Sequence, residues 1–224
     1  MINNELKKRI LSSIFLIPIA IYFIIQENIF FVFFLSILFL VSSYEWIKMN
    51  KKDIFKVIGI FYLFFAFYSA YLLREKFSIG IFIFILVICV FSDLGGYTFG
   101  KILKGPKLTK ISPKKTYSGV IGSFIMSVLA ALLYTKITII ESSVNFNFSI
   151  WLSNNFISNN IFILFILFIS LISQVGDLIV SYFKRLAKVK DTGILLPGHG
   201  GLLDRLDGIF FGIPLGFVTL ILLF

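Results

Sequence analysis

The chain has 224 residues, of which 58% are hydrophobic and only 14% charged, with 29 phenylalanines and a formal net charge of +10. Its mean hydropathy of +0.99 exceeds what a water-facing surface tolerates, and a soluble domain would carry roughly 25% charged residues; a soluble globular protein is excluded. The basic excess does not indicate nucleic acid, because no basic run is interleaved with a folded polar domain able to enter a groove. It is assigned to membrane orientation and anionic ligands.

Lys7, Lys8 and Arg9 precede an apolar run from Ile10 to Ile25 that lacks a small-x-small cleavage site, so the N-terminus is read as a retained first transmembrane helix. A bilayer crossing needs about 20 apolar residues, and seven segments reach that length: 10–26, 28–47, 56–73, 79–99, 118–140, 160–183 and 206–224. The second and last are the shortest or most interrupted, so six to eight crossings fit. The expected fold is an all-α integral membrane protein with a cytoplasmic N-terminus. It forms one continuous membrane domain, in which residues 1–78 supply N-terminal helices and 79–224 the catalytic region.

That threading places the tail and the loops 48–56, 100–117 and 184–205 on the cytoplasmic side, where eighteen of the 21 Lys and Arg then lie. Only Arg74, Lys76 and Lys136 fall outside, which is the positive-inside asymmetry. The stretch 141–159 is read as an outer loop, with Phe146, Phe148 and Trp151 as an interfacial aromatic belt. The Phe-rich runs 29–38, 61–67 and 161–168 read as lipid-facing, and Cys89, within an apolar run, as an inert small hydrophobe. No internal repeat is evident, which weighs against a transporter built from inverted halves.

A carboxylate at the bilayer centre costs about 2.5–3.5 kcal/mol on insertion scales, which singles out Asp93 and Asp177 near the cytoplasmic ends of the fourth and sixth spans. Asp177, Ser181, Lys184 and Lys188 follow at intervals of four, three and four, one helical stripe leading out of the membrane. Its plain reading is an intrahelical acid–cation network. The run Pro197-Gly198-His199-Gly200-Gly201 breaks helicity, and a new helix begins at Leu202 with Asp204 and Asp207 on one face around Arg205. Acids there suit a helix start, while glycines let N–H groups approach phosphate. The 92–119 region adds six lysines and the hydroxyls of Ser112, Thr116 and Tyr117. Carboxylates and cations so gathered can hold Mg²⁺ and neutralise polyphosphate, the parts of phosphoryl or nucleotidyl transfer.

The pattern Ser181-x-Phe183-Lys184-Arg185, then Lys190-Asp191-x-Gly193, then Leu196-Pro197-x-His199-Gly200-Gly201-Leu202-x-Asp204-Arg205-Leu206-Asp207 resembles the signature of phosphatidate cytidylyltransferases, or CDP-diacylglycerol synthases. Ser112-Pro113-Lys114-Lys115-Thr116-x-x-Gly119 and Gln174-x-Gly176-Asp177 are similar to the family's other motifs, and the resemblance covers about the C-terminal 60% of the chain. Val180 and Ser118 depart from it, where glutamate and an acidic or amide residue are commoner.

The resemblance implies transfer of CMP from CTP to phosphatidic acid, giving CDP-diacylglycerol and pyrophosphate, with Mg²⁺ required and room for a second metal ion. Asp177 and Asp204 are the first choices as metal ligands, Asp207 and Asp93 the second. Lys184, Arg185, Lys190 and Arg205 are expected to neutralise CTP or lipid phosphates. Ser112, Lys114, Lys115 and Thr116 would cradle one phosphate group, with Ser181, Gly200 and Gly201 counted among the binding residues. Asp191 joins the catalytic set, and His199 would donate to the leaving pyrophosphate or hold its loop. The expected setting is the inner membrane of a bacterium, the site facing the cytoplasm, the partners CTP, phosphatidic acid and the bilayer, and a homodimer is allowed. The competing readings are a cytidylyltransferase or kinase for an ether or polyprenyl lipid, and an ion or solute transporter.

Overall fold

A computed structural model describes residues 2–26, 29–109, 111–140, 160–193, 195 and 200–223, so the expected aromatic belt within 141–159 lies outside the described residues. The architecture is all-α: α1 Ile2–Ile25, α2 Ile29–Met49, α3 Asp53–Lys76, α4 Ile79–Leu103, α5 Tyr117–Ile140, α6 Ile161–Leu186, the single turn α7 Leu203–Leu206, and α8 Ile209–Leu223. Five of these, α2 to α6, are long and apolar enough to cross a membrane, and α1 and α8 add shorter apolar stretches, Ile14–Ile25 and Ile209–Leu223. All seven expected spans therefore coincide with helices.

The helices outrun the expected spans at their polar ends. Backbone hydrogen bonding continues after the side chains have left hydrocarbon, so α4 extends through Lys101 and α6 through Lys184 and Arg185. The last span is shorter than expected. Residues 203–207 are spent on α7 and a turn, leaving α8 with 15 residues, roughly 22 Å at 1.5 Å per residue.

The core lies where α3, α4, α6 and α8 meet, around the fully buried Leu73, Ile85, Ile88, Cys89, Ile166, Ile169 and Leu220. Without a hydrophobic drive between helices in lipid, close backbone approach and buried hydrogen bonds do the joining. Gly95 of α4 faces the Gly122 carbonyl of α5, and Gly212 of α8 leaves room for Cys89. Three serines tie the bundle at depth: Ser92 Oγ lies 2.9 Å from Ser170 Oγ, and Ser127 Oγ donates to the same oxygen at 3.1 Å. The Phe-rich runs divide between lipid and protein. Phe30, Phe33, Phe61, Phe64 and Phe168 are exposed, whereas Phe31, Phe162 and Phe165 are core residues, a correction to the lipid-facing expectation. A second apolar cluster of Trp46, Met49, Leu63, Ala66, Val180, Leu203 and Phe210 joins α2, α3, α6, α7 and α8 beside the polar ends.

Candidate functional site at the polar ends of the helices

Two loops fold back over the helix ends because their local sequences stop helices sharply. Lys104, in the left-handed region at φ 46°, ends α4. The following segment is pinned by Leu108 N–H to Lys115 O at 2.8 Å, Tyr117 N–H to Pro106 O at 3.1 Å and Gly105 N–H to Ser118 Oγ at 3.2 Å. Thr116 Oγ1 then accepts Gly119 N–H at 3.1 Å and caps α5. The result swings Lys115 across to α6, where its ammonium sits 2.7 Å from Asp177 Oδ2 and donates to Gln174 O at 3.2 Å.

At the end of α6, Lys188 takes φ 57°, with Lys188 N–H bonded to Arg185 O at 3.1 Å and Val189 N–H to Lys184 O at 3.0 Å. This paired 5→2 and 6→1 arrangement is a Schellman termination. It overturns the expected stripe, since Lys188 is the residue that ends the helix. The expected intrahelical acid–cation network is also absent. Asp177 accepts Ser181 Oγ at 3.2 Å, but its cation comes from the α4–α5 loop, and Lys184 instead pairs with Asp204 at 2.8 Å.

These contacts enclose a cavity of about 410 Å³, within the usual size of small-molecule sites. Asp93, Asp177, Asp191, Asp204 and Asp207 line it with Lys114, Lys115, Lys184, Arg205, Ser112 and Thr116, joined by Gln174 of the family-like motif and by the unexpected Ser92, Gly96, Tyr97 and Ser123. Five expected residues among the described ones are elsewhere. Arg185 is exposed and donates through Nε to Ile111 O at 3.4 Å and through Nη1 to Val189 O at 3.3 Å, and Lys190 is exposed outside the cavity. Gly200 and Gly201 shape the loop behind the wall; Gly200 has φ 86°, a conformation that favours glycine. Ser181 acts through Asp177, and His199 lies outside the described residues.

The departures from the family pattern carry no cavity chemistry, because Val180 is buried in the apolar cluster and Ser118 Oγ serves Gly105.

The carboxylates differ sharply. Asp204 Oδ2 accepts Thr192 N–H at 2.7 Å, Thr192 Oγ1 at 3.0 Å and Gly201 N–H at 3.1 Å, while Oδ1 takes Lys184. Burial opposes its charge, but the Lys184 ammonium and these N–H groups win and hold its carboxyl below the usual carboxylate range. Both its oxygens are thereby engaged by protein donors. Asp207, 7% exposed, accepts only Gly208 N–H among the hydrogen bonds of the described residues. Burial, then the nearby Asp177 and Asp93 charges, push it well above the usual range. No three His, Cys, Asp or Glu side chains among the described residues close on one point, a donor set that suits Mg²⁺, which prefers one or two carboxylates with substrate oxygens and water completing its shell.

Glu45 of α2 is a residue the sequence reading missed. The cost argument that singled out Asp93 and Asp177 applies equally to it, inside the 28–47 span. It is 2% exposed and bonded to the loop beneath the site.

A second cavity, about 430 Å³ and apolar, lies among α1, α2, α3, α4 and α8. Phe82, Leu86 and Val90 of α4 line it, Asp93 and Tyr97 line the polar cavity, and Arg205 borders both. Those α4 positions fall at intervals of four, four, three and four, a single helical stripe that turns from apolar to polar.

Residues 51–223 match the cytidylyltransferase family model. The chain is similar to the phosphatidate cytidylyltransferase of Rickettsia bellii (strain RML369-C), with 32% identity over 223 residues covering 96% of this chain and 90% of that protein. To the Rickettsia felis (strain ATCC VR-1525 / URRWXCal2) phosphatidate cytidylyltransferase it is 34% identical over 219 residues, 96% and 92% of the two chains. To that of Staphylococcus aureus (strain COL) it is 35% identical over 190 residues, 82% of this chain and 66% of that one. With the family match running through every element that builds the cavity, the chain belongs to the cytidylyltransferase family.

Proposed function

We propose that the chain transfers CMP from CTP to phosphatidic acid, releasing pyrophosphate and forming CDP-diacylglycerol. The observation that carries this reading is the pairing of a charged cavity with an apolar one, sharing Arg205 and a continuous stripe of α4. A nucleotide needs the first compartment alone, whereas a lipid phosphate needs both. In this reading the acyl chains lie along Phe82, Leu86 and Val90, Arg205 holds the lipid phosphate, and Lys114, Lys115, Ser112 and Thr116 cradle the CTP phosphates opposite.

A phosphatidate oxygen is anionic near neutral pH and attacks the α-phosphorus without a strong base or a covalent enzyme intermediate. The new P–O bond forms as the α–β phosphoanhydride bond breaks, and the electron pair leaves with pyrophosphate. Lys184, held by Asp204, and Lys115, held by Asp177, keep fixed positive charge where the phosphates meet, so positioning and charge neutralisation supply most of the acceleration. Mg²⁺ held by one or two of Asp177, Asp207 and Asp93 would neutralise phosphate oxygens there. The basic residues at this end of the bundle support its facing the cytoplasm, where CTP is available, with a bacterial inner membrane as the proposed setting.

The test is turnover of radiolabelled CTP by the purified protein with Mg²⁺ and diacyl, ether or polyprenyl phosphate. Lipid-linked CMP from the diacyl substrate at the highest kcat/KM is expected. Preference for another lipid phosphate would move the activity to that substrate, and no transfer to any of them would remove the reading.

A further inference from the structure

We propose that Glu45 is a positioning residue: from α2 it fixes the backbone at Thr192 and at 201–203 and, through it, the Asp204–Lys184 pair at the wall of the polar cavity. This rests on the reading that Lys184 acts on phosphate. Glu45 itself does not line the cavity. Its Oε1 accepts Leu202 N–H at 3.0 Å, and its Oε2 accepts Leu203 N–H at 2.9 Å and Thr192 Oγ1 at 3.1 Å. The Thr192 hydroxyl also lies 3.0 Å from Asp204 Oδ2, which takes N–H groups from Thr192 and Gly201 as well, so Thr192 bridges the two carboxylates. A relay of contacts then runs from Glu45 through Thr192 and Asp204 to Lys184, joining the N-terminal helices to the catalytic cations.

The fit is close on both sides. A Cβ on Gly193 or on Gly201 would stand 2.6 Å from a Glu45 carboxylate oxygen, so the loop backbone rests on the carboxylate itself. Three donors converge on two oxygens, and only a group that accepts at both positions satisfies them. Glutamine would turn an NH₂ toward a backbone N–H or the Thr192 hydroxyl and leave a buried donor unpaired. Aspartate keeps the acceptors but falls one methylene short.

The test uses the full chain in vesicles containing phosphatidate. Glu45→Gln should lower kcat per folded molecule by about 10- to 100-fold, the range that small misplacements of catalytic groups produce, with KM for CTP changed less than about threefold because the lost contacts act in the transition state. Glu45→Asp should recover part of the rate. Thr192→Val should resemble Glu45→Gln, and the double variant should be no slower than the slower single one. Amide exchange at Thr192, Gly201, Leu202 and Leu203 should quicken at least about tenfold in Glu45→Gln, with the α4 and α5 amides unchanged. Exchange needs no turnover, so a wild-type protein inactive on CTP and phosphatidate would sink the functional reading while still deciding the role of Glu45. Wild-type kcat or unchanged loop exchange in Glu45→Gln overturns the proposal, as does a rate loss that only tracks the folded fraction without recovery by aspartate. If the glutamine variant does not fold, wild-type turnover by Thr192→Val overturns it.

Discussion

Asp204 and Asp207 stand three residues apart around Arg205, yet their surroundings give them opposite duties. Asp204 is neutralised by Lys184 and backbone N–H groups, while Asp207 is buried near two other acids. Asp204→Asn should therefore lose both stability and activity, since removing one partner of a buried ion pair costs about 3–5 kcal/mol; thermal unfolding in detergent measures it. Asp207→Asn removes a proposed metal ligand, so turnover should fall more than about 100-fold, and it relieves repulsion, so Tm in EDTA should rise. A drop in Tm would contradict the account of a repelled carboxylate. The pH dependence follows from the sign of the Asp204 shift. Its folded value lies below the ordinary 3.8, so its contribution is complete above that value and is lost as pH falls through the lower folded one. Tm of the wild type should decline below about pH 4, and Asp204→Asn should flatten the decline.

Among the elements, α4 does most to define the site, carrying both compartments on one stripe while Gly95 on another face meets α5. Filling the apolar compartment should act on the lipid alone. Val90→Trp is expected to raise KM for phosphatidate about tenfold or more, the effect of losing roughly 1.4 kcal/mol of binding, with KM for CTP nearly unchanged. Equal effects on both substrates would show that the acyl chains lie elsewhere. α6 shows the limit of periodicity as a guide. Spacing placed Lys188 on a functional stripe, but the Schellman turn spends it on ending the helix two residues earlier.

For the whole molecule, the grouping of polar ends at one side of the bundle makes orientation testable. Cys89 is fully buried, so single cysteines placed by Lys51→Cys, Lys190→Cys and Glu75→Cys are the accessible thiols. A membrane-impermeant maleimide added to intact cells should label position 75 and spare 51 and 190, and inverted vesicles should show the reverse. The seven spans, the clustering of basic residues and the polar loops were legible in the sequence, because hydropathy and charge act locally and leave a record at each position. Asp93 and Asp177 stood out as candidates for the same reason, since an ion near hydrocarbon is too costly to be incidental, and both line the polar cavity with Asp207, Lys184 and Arg205. Their partners were not legible. That Asp177 takes Lys115 rather than Lys184, that Asp204 is saturated, that Arg185 and Lys190 face away, and that Glu45 of α2 supports the loop from 157 residues away in sequence were decided by the tertiary structure alone, since which ion pairs with which depends on distances that only packing sets.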